Sequence, residues 1–317
     1  LPMSIIIHKN TIKNIETYFI NSLIFIGLLC IFESIIRFYF KYDITSLVPQ
    51  LKDNLVFTMT SENKVLNRSR GFSSEPLIVG LSLSVGLQYS FIKLKNTFLT
   101  VNTKKIINLF KYLLYTVLFI FAILSTGSAS SFVISILGVA FLLVELMFIF
   151  SYDLYKGKIN IPILQIFCLI LFSLSSLIII LNIIPAYQVA LENILSKISL
   201  NREFSSVRER LDIFVTYLNY FLSDPIGIKG SVGSYSKEFS AINWYLTILG
   251  DIGILGVFFT FIPLISSILI SINSPIHNGF SRYDKYLLIS IPLFGLCFHG
   301  TFYASPLWAI ILISYYL

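Results

Sequence analysis

Apolar runs long enough to cross a bilayer recur along the whole chain. A membrane helix needs about 20 mostly apolar residues, and the pattern meets this over residues 17–40, 76–92, 107–126, 131–150, 161–184 and 242–272. Gly250, Gly253 and Gly256 interrupt the last run, which predicts a short half-helix followed by a full span. Residues 286–300 and 304–317 form two shorter runs around His299-Gly300-Thr301, either two tilted spans or a re-entrant hairpin. The first run starts late and is too long for a cleavable leader. The pattern predicts an all-α fold: a polytopic α-helical integral membrane protein with about 7–9 transmembrane helices in a single membrane domain, residues 1–317.

The polar intervals set the sides. Lys9 and Lys13 precede the first span; Lys93, Lys95, Lys104 and Lys105 fall in interval 93–106, Lys156 and Lys158 in 151–160, and Arg282 and Lys285 in 273–285. Alternation puts all four intervals on one face, read as cytoplasmic by their basic residues. The N-terminus is then cytoplasmic, and the longer loops 41–75 and 185–241 lie outside. Within the larger loop, Val207, Leu211, Phe214, Val215, Leu218, Phe221 and Leu222 form one stripe at helical spacing. This predicts an amphipathic helix over 205–223, ended by Asp224-Pro225 and Gly227, with Arg208 and Arg210 on the two edges of the stripe. Such a helix either lies on the membrane surface or packs on the spans as a lid.

Composition narrows the class. Of 317 residues, 56% are hydrophobic and 12% charged, about half the charge of a soluble domain. An ordinary soluble enzyme, a disordered chain and a disulfide-stapled secreted domain are excluded. The net charge of +7 is spread between apolar runs, so membrane orientation and anionic lipid-linked ligands account for it better than nucleic acid does. Cys30, Cys168 and Cys297 sit in apolar runs without C-x-x-C spacing, as buried spectators, and His8, His277 and His299 are too scattered for a metal site. Glu33 and Arg37, four apart, should pair on one helix face as packing glue, and Glu145 should snorkel from the inner end of its span.

The arginines divide unevenly. Of seven, Arg68, Arg70, Arg202, Arg208 and Arg210 lie in the outer loops, with Arg37 close to the first; only Arg282 is inside. Orientation alone does not ask for this. A guanidinium grips a phosphate in two places at once, where lysine is a point charge. Outer-face arginines beside a membrane therefore suggest a lipid phosphate or pyrophosphate ligand, although solvated loop charge gives the same count.

Three stretches read together go further. Arg68-Ser69-Arg70-Gly71-Phe72-Ser73-Ser74-Glu75-Pro76 leads into a span, with Pro76 as a helix-start signal. Ser125-Thr126-Gly127-Ser128-Ala129-Ser130-Ser131 is a polar turn between two spans. Arg210 is followed by Asp224-Pro225-Ile226-Gly227, then Asn243-Trp244-Tyr245-Leu246 and Gly250-Asp251-Ile252-Gly253-Ile254-Leu255-Gly256. In order and spacing these resemble the O-antigen polymerase and ligase superfamily of bacterial polysaccharide assembly, over most of residues 65–317. Members carry R-x-x-G-[FL]-x-x-x-P, a T-G-S-R turn, an Arg about 15 residues before P-x-x-G, and H-N-x-Y-L-x-x-L-x-E-x-G-I-x-G. Ser74-Glu75-Pro76 looks more like the polymerases than the ligases. Ala129 stands where the family usually has Arg, Ile242 where His is common and needed by ligases, and Asp251 where Glu is usual. The chain is also shorter than typical members, as if the first helices were missing or lay upstream.

The resemblance implies a metal-independent glycosyltransferase without a cofactor, multi-pass in the bacterial cytoplasmic (inner) membrane. Loops 41–75 and 185–241 would be periplasmic. Its substrate would be an undecaprenyl-pyrophosphate-linked oligosaccharide, moved onto a lipid-linked repeat unit of O-antigen, capsule or exopolysaccharide. Membrane lipid, a chain-length regulator and a flippase of the same pathway would be its partners. Arg68 and Arg210 would stabilise the leaving pyrophosphate, with Arg70, Arg208, Arg202 and Asn243 binding it. Glu75 would be the base for the acceptor hydroxyl, with Glu238 and Asp251 behind it; a carboxylate there equally suits a helix N-terminus. The rival readings are a ligase, a flippase or other transporter, and a non-catalytic scaffold.

Overall fold

The computed structural model describes residues 9–40, 58–61, 64–67, 69, 76–99, 105–156, 184–198, 205–226, 244–274 and 280–295. Among these lie eight helices and one hairpin: α1 (Lys9–Phe40), β1 (Thr58–Ser61), β2 (Lys64–Asn67), α2 (Pro76–Leu99), α3 (Lys105–Thr126), α4 (Ala129–Tyr155), α5 (Pro185–Ile198), α6 (Ser205–Ser223), α7 (Trp244–Asn273) and α8 (Arg282–Gly295). Five stretches are long and apolar enough to cross a membrane: Glu16–Phe40, Pro76–Phe98, Ile106–Thr126, Ala129–Tyr155 and Gly253–Asn273. The chain is a helical, multi-pass membrane protein. The runs 161–184 and 304–317 lie outside the described residues, apart from Ile184. Loops 41–75 and 185–241 are less plain than expected. The first holds the antiparallel hairpin, in register Thr58 with Asn67 and Ser61 with Lys64, and the second holds α5 as well as α6.

Polarity explains which helix is central. α2 is the least apolar of the five spans, yet 78% of its apolar window is buried, against 17–28% for the other four. Its Ser82, Ser84, Gln88, Ser90, Lys93, Lys95 and Asn96 would be costly in hydrocarbon, so the chain wraps protein around them. α1, α3, α4 and α8 all pack on it. Small residues let them come close. A Cβ on Gly80 would lie 2.3 Å from Ser131 Oγ, and one on Gly86 would lie 2.6 Å from the Phe119 ring. Polar contacts then join α2 to α4: Ser135 Oγ donates to Ser84 Oγ at 2.8 Å, and Gln88 Nε2 to the Gly138 carbonyl at 3.2 Å. Outward positions such as Phe25, Phe110, Phe148 and Phe259 remain exposed, as lipid-facing residues do.

The ends of the bundle are distinct. Glu16 of α1, Lys95 of α2, Glu145 of α4 and Asp284 of α8 gather at one end. The turn between α3 and α4, α5 and the start of α2 gather at the other. Of the intervals grouped on one face by sequence, Lys93, Lys95 and Lys285 lie at the first of these ends. α4 ends at the charged end, and Ile184, at the start of α5, lies beside the opposite one.

Candidate functional site

At the end where α2 and α4 begin, the polar turn is built as its residues require. Gly127 adopts φ 56°, a left-handed conformation that glycine takes freely. Ser128 caps α4 by accepting the Ser131 N–H at 3.3 Å. The Ser125 carbonyl, one of those that α3 leaves unsatisfied at its C-terminus, accepts the Ser69 N–H at 3.0 Å. Ser69 is fully buried, and its hydroxyl has no partner among the described residues. This contact fastens Ser69 onto the Ser125–Ser131 turn. One residue of the first stretch therefore meets the second.

Other groups close around the turn. Tyr187 of α5 is buried, and the Ser125 hydroxyl donates to its phenol oxygen at 3.4 Å. Burial pushes the Tyr187 phenol above its ordinary range, and the Ser125 hydrogen bond offsets part of that. α1 touches α5 and β2 here, and Arg37 pairs with Glu33 at 2.7 Å, both buried. The expected pair is formed.

The third stretch folds on itself at the same end. Gly253, with φ 66° and ψ −163°, breaks α7 into a leading piece and a span. The Pro225 carbonyl after α6 accepts the Ile254 N–H at 2.8 Å. Tyr217 of α6 lies over Gly250, where a Cβ would be 2.6 Å from its ring. Tyr245 of the leading piece donates to the Leu293 carbonyl of α8 at 2.9 Å, and Gly295 of α8 packs against Leu81 of α2. The end of α8 thus separates the start of α7 from the start of α2.

Of the candidate residues, Arg68, Arg70, Glu75, Arg202 and Asn243 lie outside the described residues, as does Glu238. Arg208 and Arg210 belong to the first half of α6, and Asp251 to the leading piece of α7, where the helical backbone is described. The amphipathic helix expected over 205–223 is formed. Its protein-facing side is Ile213 and Tyr217, on the order of a third of a turn from the apolar stripe. Phe214, Val215, Leu218 and Leu222 are exposed.

The opposite end holds a charge cluster that sequence reading missed. Lys95 meets Glu145 at 2.8 Å and Asp284 at 2.5 Å. Asn96 donates to Asp284 at 3.3 Å, and Asp284 caps α8 by accepting the Ser281 N–H at 2.8 Å. Lys93 pairs with Glu16 at 2.9 Å, and Glu16 also accepts from the Tyr89 hydroxyl. Lys285 donates to Ser274 Oγ at 2.7 Å and to the carbonyls of Ser271 and Ser274 at the end of α7. Glu145 does not snorkel; it is held by Lys95. Nor are Lys93 and Lys95 loop residues, because α2 runs on to Leu99. Each is paired with a carboxylate from another helix, which offsets part of the cost of burying it. Among the described residues, no three His, Cys, Asp or Glu side chains converge as metal ligands would. No protein-family model, curated protein or solved structure matches this chain.

Proposed function

We propose that the chain is a polysaccharide polymerase of 7–9 spans in the bacterial inner membrane, with its N-terminus cytoplasmic. It transfers an undecaprenyl-pyrophosphate-linked glycan onto a lipid-linked repeat unit at the periplasmic face. The observation that supports this reading is the Ser69 N–H bond to the Ser125 carbonyl, which brings the residue between Arg68 and Arg70 in the sequence to the small-residue turn. In this reading Arg68, Arg70, Arg208 and Arg210 hold the pyrophosphate and stabilise the charge that grows as it leaves. Two helix N-termini, those of α2 and α4, open beside the turn, and their positive ends favour the same anion. They supply part of the attraction lost where Ala129 replaces an arginine. Glu75, at the entry to α2, takes the acceptor proton.

A flippase or other transporter is the second reading, and the buried charges around Lys95 favour it. Two features count against it. Lys95 lies four residues from the end of α2 rather than mid-span, and Lys93, Lys95 and Lys285 balance Glu16, Glu145 and Asp284. Deleting the gene and running the host's surface polysaccharide on a gel tests the proposal. A polymerase leaves single repeat units on the lipid core. Polymer held on undecaprenyl pyrophosphate means a ligase, units trapped on the cytoplasmic face mean a flippase, and an unchanged ladder refutes all three.

A further inference from the structure

We infer that α6 lies flat in the membrane interface, with the apolar stripe that protein leaves uncovered immersed in the acyl boundary of the lipid. This does not depend on the transferase reading. α6 has 19 residues, a rod of about 28 Å. It buries Ile213 and Tyr217, the latter against Gly250 of α7, and leaves Phe214, Val215, Leu218 and Leu222 exposed at 45%, 51%, 36% and 63%. On the polar side Asp212 and Asn219 are exposed. An uncovered stripe of this size opposite polar residues is the mark of a helix that binds an apolar surface.

Continuity identifies that surface as lipid. α6 ends in Asp224-Pro225-Ile226, and the Pro225 carbonyl is bonded to the N–H of Ile254, the first residue of α7 after its break. From there α7 presents Ile254, Leu255, Phe258, Phe259 and Ile262 outward, all exposed, along a span whose apolar window is only 17% buried. Exposed Ile226 lies between the two apolar surfaces. The stripe of α6 is therefore joined to the lipid-facing side of a membrane span at the point where that span begins. A helix tethered there, with its apolar side outward, meets the headgroup and upper acyl region, a layer reached by burial of about 5–10 Å. Arg208 and Arg210 lie in the first half of the same helix, so the interface sets their depth.

Tryptophan quenching in the full-length protein, reconstituted in phosphatidylcholine vesicles, tests this. The parent carries Trp244→Phe and Trp308→Phe. Leu218→Trp and Phe214→Trp are two independent reporters on the stripe, and Asn219→Trp is the control. Both stripe reporters should be quenched by lipid brominated high on its acyl chains, more than by lipid brominated near the chain ends, and shielded severalfold from aqueous acrylamide. The control should behave in the opposite way. Stripe reporters as open to acrylamide as Asn219→Trp would overturn the inference, because α6 would then stand in water. So would reporters quenched by neither agent: the stripe is then covered by another part of the chain, or by a second copy if dilution in lipid restores quenching.

Discussion

Replacing Lys95 with methionine asks how far the bundle depends on one buried cation. The ammonium lies 2.8 Å from Glu145 and 2.5 Å from Asp284, with side-chain exposures of 3%, 12% and 0%. Methionine keeps the reach and the apolar stem but leaves two carboxylates side by side without a counter-charge. Removing one partner of a buried pair costs about 3–5 kcal/mol, where an exposed pair is worth about 0–1 kcal/mol. Two abandoned anions place Lys95→Met toward the upper figure, a fall in melting temperature on the order of 10 °C for a chain of this size. The assay heats detergent-purified protein and follows the surviving monodisperse peak by size exclusion. Adding Glu145→Gln and Asp284→Asn removes the stranded charges while leaving an amide oxygen for the Ser281 N–H, and should recover most of the loss. The reasoning fails if Lys95→Met melts with the parent, or if the triple variant melts as low as the single one.

Three further outcomes are expected. Arg210→Ala should abolish polymer while the protein level holds, and Arg210→Lys should restore little of it if a two-point grip on phosphate is the reason; a normal ladder from either variant contradicts the role. Gly86→Val forces a side chain into the Phe119 ring and should cost about 1–3 kcal/mol by overpacking, read as a lowered melting temperature in the same assay. Gly253→Ala places a Cβ at φ 66° and ψ −163°, a region that is essentially glycine's alone, at about 1–3 kcal/mol. That variant should melt lower and lose polymer more than Gly86→Val does, because the break also sets the Pro225–Ile254 link; equal polymer from the two would separate the break from activity.

What could be read in the sequence was what depends on neighbours along the chain. Pro76 starts a helix, Gly253 breaks one, Ser125–Ser128 makes the turn and Glu33 pairs with Arg37 one turn on. What could not be read depends on partners far away. Lys93 and Lys95 looked like the polar end of a span because their carboxylates come from other helices. The stripe of α6 outweighed Ile213 and Tyr217 by number, yet those two face the protein, since Gly250 makes room for a ring there. The hairpin and α5 were hidden in intervals read as loop, where short elements gain their order by packing on α1, α3 and α4. Of the candidate site, the meeting of Ser69 with Ser125 is the new part, because no spacing within either stretch announces the other.

The central, polar α2 also dictates how the molecule must be made. As α2 leaves the ribosome, Lys95 has neither of its carboxylates, for Glu145 follows 50 residues later and Asp284 189 residues later. At synthesis rates of about 5–20 residues per second, the second partner arrives roughly 10–40 s after the lysine. Through that interval a helix with charges in its last turns is poorly suited to lipid on its own. It must wait in the insertion machinery, or against α1 and α3, until α8 has been made. A ribosome that stops before α8 therefore releases a bundle in which Lys95 keeps Glu145 but lacks Asp284, a loosened end that membrane quality control can recognise.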